Sequence, residues 1–346
     1  EKCRRASENL DVIVVEGNGA SPKTLVEANV SEADYVLCLT RVDEVNLIAS
    51  QQAHELGATK IIARLRNQQY TTRHSIIRPE KFGVDLVIHP ERAATEEIIR
   101  LIHHPYAVQA MDFESGRLKM LGVYMDKTCA SFLNRPLGEI ALENNHFKFG
   151  IIAVLRNSET HVPWADFKFE IGDCIYFIVK AEDEPNLLGM LCKEAQEVKR
   201  VMILGGSKIG RSLAEELKDT YSVRLIEENR KKAEYIAHTI DDIMVINGDG
   251  TDIEFLKAEN IQDVDSFIAV TENEKTNLIA GLLAHHMGSG QTITHVTKTE
   301  YIPTIQEIGI VSVISKNLST VNSILREMHS DISNASVTTF EEIDVD

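Results

Sequence analysis

From residue 201 to about 330 the chain alternates short apolar runs with longer amphipathic stretches. The runs predict strands over 201–204, 222–227, 243–246, 266–270, 292–296 and 311–314. The stretches between them carry apolar residues at helical spacing and predict helices over 210–220, 230–240, 253–258 and 274–287. Strands this short, alternating with helices, predict a parallel, doubly wound sheet. The strands are apolar without a break, so helices are expected on both faces. Residues 1–110 trace the same order, starting at the second helix. Helices are expected at 1–9, 22–28, 44–56 and 90–104, and strands at 12–15, 35–39, 60–65 and 85–88. Pro105 ends the last helix.

Residues 112–182 follow a different rhythm. Alternating runs at 118–125, 149–155 and 174–179 are parted by turn signals at Glu114-Ser115-Gly116 and Glu170-Ile171-Gly172-Asp173. One helix is expected at 132–143, with Leu133, Leu137 and Ile140 on its apolar side. This predicts a small α+β module on an antiparallel sheet. A charged helix over 184–200 links it to the alternating strand–helix segment that begins at 201. After Ser330 the chain turns polar, and 336–340 resembles the opening strand of a second small module.

The similarity of the two halves is a repeat without gaps at an offset of 231 residues, with thirteen identities between positions 17 and 57. Gly17-Asn18-Gly19 falls on Gly248-Asp249-Gly250, Thr40 on Thr271, and Asn46-Leu47-Ile48-Ala49 on Asn277-Leu278-Ile279-Ala280. The second copy opens with a strand and glycine loop whose counterpart falls before Glu1. The first copy is therefore expected to lack its opening strand, loop and helix.

Composition narrows the function. Of the 346 residues 43% are hydrophobic and 26% charged, which fits a soluble globular protein, and no apolar run nears the length of a membrane span. The net charge of −17 argues against a nucleic-acid or lipid-headgroup surface, which needs clustered Lys and Arg. Five scattered cysteines without a CxxC pair read as reduced thiols of an intracellular protein.

The chemistry concentrates in Gly205-Gly206-Ser207-Lys208-Ile209-Gly210, which follows a strand and opens a helix. In the dinucleotide fingerprint the first glycine makes the tight turn, the second lets a pyrophosphate approach the backbone, and the third packs helix on strand. Amides of the helix N-terminus then hold the phosphates. Ser207 replaces the second glycine. Its hydroxyl is able to donate to phosphate, and its Cβ is equally able to hold the phosphate away. Glu227 ends the next strand, placed to accept hydrogen bonds from ribose hydroxyls. The loops at Asp249-Gly250 and at Gly17, Asn18 and Gly19 are placed to read an adenine, although Asn-Gly and Asp-Gly pairs also simply make turns. Thr40 and Thr271 sit at the ligand edge of the sheet. Arg64 ends a strand beside that edge and suits a terminal phosphate; its counterpart is His295. Asn46 and Asn277 read as helix pins more than as ligand contacts. No general acid and base pair, no GxSxG and no metal-ligand spacing is found.

These residues together resemble the TrkA family, the RCK-domain regulatory subunits of bacterial Trk potassium uptake systems. The likeness is carried by Val201–Gly210 with Glu227, by Asn247–Gly250, and by Thr271 with Asn277-Leu278-Ile279-Ala280. In the small module it is carried by Arg135-Pro136-Leu137-Gly138-Glu139-Ile140, Val154-Leu155-Arg156 and Gly172-Asp173. The resemblance implies an α/β fold with two Rossmann-like doubly wound parallel-sheet (RCK N) domains separated by a small α+β (RCK C) domain. The domains would run 1–110 (first RCK N, truncated at its N-terminus), 111–184 (first RCK C), 185–200 (linker helix), 201–330 (second RCK N) and 331–346 (start of a truncated second RCK C). It implies regulation without catalysis. NAD(H), ATP or ADP would bind, and a homo-oligomeric ring, a tetramer of tandem chains, would change shape. That change would gate a TrkH-like membrane potassium channel subunit from the cytoplasmic face of the plasma membrane. The competing expectation is an NAD-dependent dehydrogenase of the saccharopine type, which requires a hydride-transfer residue that the strand ends do not offer.

Overall fold

A computed structural model describes residues 2–70, 75–113, 116–144, 146–157, 159–191, 197–307 and 312–336. The chain divides into two compact units, residues 1–93 with 320–346, and residues 94–319.

The first unit holds the first copy. Helices α1 (Lys2–Asn9) and α2 (Pro22–Glu27) precede strand β1 (Tyr35–Cys38), helix α3 (Asp43–Glu55), and strands β2 (Lys60–Arg64) and β3 (Leu86–Ile88). The three strands pair in parallel in the order β1-β2-β3. One face is closed by Leu47, Ala49 and Ala53 of α3 over Ile61 and Ala63. The expected strand at 12–15 does not form. Its counterpart in the second copy is held by a neighbouring strand, and no described strand lies beside 12–15 to satisfy its amides and carbonyls.

The second unit contains the small module and the second copy. Helix α4 (Pro90–His103) leads into β4 (Ala107–Phe113), β5 (Leu118–Tyr124), α5 (Leu137–Glu143), β6 (Phe149–Arg156), β7 (Glu159–His161), β8 (Cys174–Lys180) and α6 (Glu184–Met190). The five strands form an antiparallel sheet ordered β4-β5-β8-β6-β7. Phe132, Phe169 and Phe177 fill its core. The helix expected over 132–143 forms only from Leu137. Asn134 takes a left-handed φ of 58°, and Pro136, with ψ of 141°, serves as an extended N-cap. A residue before proline avoids helical geometry, so Arg135 cannot carry a helix through. Buried Asp173 takes Arg156 by two 2.7 Å bonds, fixing the turn after β7. The linker helix expected over 184–200 ends at Met190, and Arg200 already opens a strand; 192–196 lie outside the described residues.

A charged clamp ties the two ends of the module together. Glu184, at the start of α6, receives Lys119 Nζ at 2.7 Å, His104 Nδ1 at 2.7 Å and the Tyr106 hydroxyl. Burial opposes its charge, but His104, Lys119 and Tyr106 outweigh that and hold the carboxyl down at about 2.

In the second copy, β9 (Arg200–Leu204), α7 (Lys208–Leu217), β10 (Ser222–Glu227), α8 (Arg230–Thr239) and β11 (Met244–Asn247) make the first half. Helix α9 (Ile253–Ala258), β12 (Ser266–Ala269), α10 (Glu274–His286), β13 (Gln291–His295), α11 (Ile302–Glu307) and β14 (Ser312–Ile314) follow. The six strands are parallel and ordered β11-β10-β9-β12-β13-β14. That order reverses between β9 and β12, and loops at the strands' C-terminal ends open a crevice there.

Two helices cross between copies. Ala94, Ile98, Leu101 and Ile102 of α4 belong to the same core as Val201, Ile203 and Ile293 of the second copy. Helix α12 (Lys316–Ser336) was not expected from the sequence. It sets Ile324 and Met328 against Ile62 and Ile88 of the first copy, and Glu327 reaches Lys60 at 3.6 Å. Ile62 and Ile293 are repeat equivalents, so each copy's sheet is covered by a helix that follows the other copy's last strand. The strand expected at 336–340 lies outside the described residues, apart from Ser336, the last residue of α12.

Candidate functional site

At the reversal point of the second sheet lies a pocket of about 200 Å³. Gly205, Ser207, Glu227, Asp249, Gly250 and Thr271 line it, as do residues no motif pointed to: Glu228, Lys232, Glu272, Asn273 and Thr276. Gly206, Lys208, Ile209 and Gly210 do not line it. Ile209 is buried in the core, Lys208 is exposed, and Gly210 donates its amide to Ser207.

The turn needs its glycines for geometric reasons. Gly205 has a φ of +105°, and a Cβ there would sit 2.8 Å from Thr271 Cα. A Cβ on Gly206 would meet Ile236 Cδ1 at 2.3 Å and Glu227 Oε2 at 2.9 Å, where the Gly206 amide now donates to that carboxylate. Ser207 is the N-cap of α7. Its hydroxyl donates to Val270 O at 2.6 Å and accepts from Gly210 N at 3.2 Å. The proton that the sequence left available to a phosphate is turned into the protein.

Glu227 is buried at the end of β10. Burial opposes its charge, yet the Asn229 amide, Lys232 and the Gly206 amide hold its carboxyl below the ordinary range. Lys232 Nζ lies 2.9 Å from Oε2, and Asn229 N donates to Oε1 at 3.0 Å. A carboxylate has about four lone-pair sites, so Glu227 keeps room for a ribose hydroxyl beside these partners. Asp249 closes its own turn, accepting from Thr251 N at 2.8 Å and Thr251 Oγ1 at 2.7 Å. Asp249 also lines the pocket.

Thr271 and Asn277 form one unit. Asn277 Oδ1 accepts from Thr271 N at 2.8 Å and Thr271 Oγ1 at 2.6 Å, and Nδ2 donates to Thr271 O and His295 O, each at 3.1 Å. The first copy repeats this: Asn46 joins Thr40 N at 2.8 Å, Thr40 Oγ1 at 2.7 Å, Thr40 O at 3.1 Å and Arg64 O at 2.8 Å. Both asparagines are fully buried and pin a helix to two strand ends. Both threonine hydroxyl protons are spent in the pin.

In the first copy Asn18 accepts from Ala20 N at 3.0 Å, a local turn, and a Cβ on Gly17 would collide with Thr24. Gly19 has open space around it. Arg64 Nε and its counterpart His295 Nε2 are both buried without a hydrogen-bond partner. Burial, reinforced by Lys316 and opposed by Glu274, pushes the His295 imidazole down to about 4, so it is neutral at pH 7. Among the described residues, no group of three or more His, Cys, Asp or Glu is placed to hold a metal ion.

A family model, the TrkA-N domain, matches residues 1–90 and again 201–316. The chain belongs to the TrkA family. The Trk system potassium uptake protein TrkA of Halomonas elongata is 31% identical over 326 residues, covering 94% of this chain and 71% of that protein. A TrkA homolog of Archaeoglobus fulgidus is 32% identical, covering 93% of this chain and 72% of its own. Among solved structures, the GsuK RCK domain superposes with a TM-score of 0.63 at 18% identity, over 98% of this chain and 71% of that chain. The GsuK channel bound to NAD gives a TM-score of 0.62 at 18% identity, over 96% of this chain and 58% of its own. At that identity the likeness establishes the RCK fold alone. The TrkA match is to potassium uptake proteins, against the dehydrogenase alternative.

Proposed function

We propose that this TrkA-family chain is a nucleotide-sensing regulatory subunit of a potassium uptake system. The observation that carries the reading is the pocket at the strand-order reversal. The Gly205 turn, Ser207 at the N-cap of α7 and an ionised Glu227 line it together. That arrangement is suited to binding and holding a nucleotide. NAD(H) or an adenine nucleotide (ATP or ADP) fits it through ribose at Glu227, phosphates at the Gly205 turn and base near Asp249. The first copy would contribute Gly17, Asn18, Gly19, Thr40 and Arg64 to an equivalent site.

In this reading chains assemble as a ring, a tetramer of tandem units, on the cytoplasmic side of a TrkH-like membrane channel. No described helix is long and apolar enough to cross a membrane, which is consistent with a partner supplying the pore. A nucleotide changes the gate only as far as it prefers one ring shape over the other. Isothermal titration with NAD, NADH, ATP and ADP is the test. Glu227→Ala is expected to weaken binding to the second copy about tenfold or more. No heat from any of the four at millimolar concentration would sink the proposal.

A further inference from the structure

The two copies share a frame and differ in charge at the ligand edge. Besides the asparagine pins, Asp43 Oδ2 accepts from the amides of Arg66 and Asn67 at 2.8 Å each. Its equivalent Glu274 Oε1 accepts from Thr297 and Lys298 at 3.1 and 3.2 Å. On this common scaffold, Arg41 of the first copy is replaced by Glu272, Arg64 by His295, Arg66 by Thr297 and Asn18 by Asp249. Burial disfavours the charge of Arg64, and Arg66 and Arg41 lie close enough to add to that. The second edge keeps none of the three guanidiniums.

The charges that remain in the second pocket are acidic. Glu228, Asp249 and Glu272 line it, and its one lysine, Lys232, is already paired with Glu227. Glu272 follows Thr271, which touches the Gly205 turn where a phosphate chain would lie; Glu228 follows Glu227 at the ribose end. A bridging phosphate diester carries one negative charge, whereas a terminal or ribose monoester carries nearly two. Within a Debye length of about 8 Å each rim carboxylate repels the monoester about twice as strongly.

We propose that the second pocket admits a dinucleotide whose phosphates are bridging diesters and turns away nucleotides bearing a terminal or ribose phosphate, with Glu272 and Glu228 as the discriminating side chains. The inference rests on the nucleotide-sensing reading and adds to it a division of labour, the arginine-rich first edge being the one suited to polyphosphates.

The test is calorimetric titration of the whole chain with NAD, ATP and NADP, where the binding event weakened by Glu227→Ala reports the second pocket. That event is expected to favour NAD over ATP by roughly tenfold or more. Glu272→Arg is expected to raise ATP affinity by about the square of the factor by which it raises NAD affinity, shrinking the preference roughly threefold or more, and Glu272→Gln moves it the same way by less. Glu228→Gln is expected to raise NADP affinity about fivefold. Both side chains are exposed, so the variants are expected to fold. A Glu227-dependent event that prefers ATP in the unaltered chain overturns the proposal, as does a NAD-to-ATP ratio unmoved by Glu272→Arg. Absence of any Glu227-dependent binding overturns the sensing reading itself, a distinguishable result.

Discussion

The Thr40–Asn46–Arg64 corner of the first copy and the Thr271–Asn277–His295 corner of the second superimpose bond for bond, yet one ends in a guanidinium and the other in a neutral imidazole. The pin is internal to the fold: it satisfies strand-end carbonyls and amides that would otherwise be buried unpaired, so any working copy needs it. The last side chain takes no part in the pin, and its Arg64 Nε or His295 Nε2 is buried without a partner. What the duplication preserved is therefore evidence about folding, and what it altered marks where the two copies are free to differ.

The sharpest way to break this comparison is to remove the pins. Asn46→Ala and Asn277→Ala each leave several buried backbone groups unpaired, and each is expected to cost roughly 3 kcal/mol. Hydrogen exchange of the β1 and β12 amides should report similar losses in the two copies. A cost below about 1 kcal/mol in one of them would mean that the shared frame is not shared in energy.

The next test separates the two corners by pH. His295 stays neutral in the folded chain down to about 4, whereas an unfolded histidine protonates near 6.5. The unfolded state thus binds more protons between those values, and stability is full above about pH 6.5 and falls as the pH drops towards 4. The loss reaches about 2–3 kcal/mol at the acid end. His295→Gln is expected to flatten that part of the profile in denaturant titrations from pH 7 to 4.5, and Arg64→Gln to leave it unchanged. Equal slopes with and without His295 would contradict its neutral burial. The smallest effect expected is at the cap: Ser207→Ala removes the bond to Gly210 N and should cost about 1 kcal/mol, read as a melting shift of a few degrees.

The parallel sheets were legible because their strands are apolar without interruption and glycine or polar turns mark their ends. Elements that depend on a distant partner were not. Residues 12–15 have strand composition and form no strand, since pairing and not composition makes one. Helix α12 carried its signal openly, with Leu318, Val321, Ile324, Leu325 and Met328 at helical spacing, but the polar tail around it masked the period. Pro136 was visible in the sequence and should have shortened the expected helix. In the pocket, the glycine turn, Glu227, Asp249 and Thr271 stand in motifs, whereas Glu228 stands one residue past a strand, Lys232 in the first turn of a helix and Glu272 in the loop between β12 and α10. Lys232 had a readable cue, a cation five residues after an acid at a strand end. Ser207 was read for what it offers a ligand, when its hydroxyl serves the helix it begins.

The exchanged helices have a consequence for how the chain is made. Among the described residues, Ile62 and Ile88 of the first sheet pack against Ile324 and Met328, some 240 to 260 residues later. During synthesis the first copy stands with one apolar face bare while the small module and the whole second copy emerge. Contacts this distant in sequence close slowly and leave surface open to wrong partners. Translation pauses or chaperone binding should therefore matter most for the half of the protein that is made first.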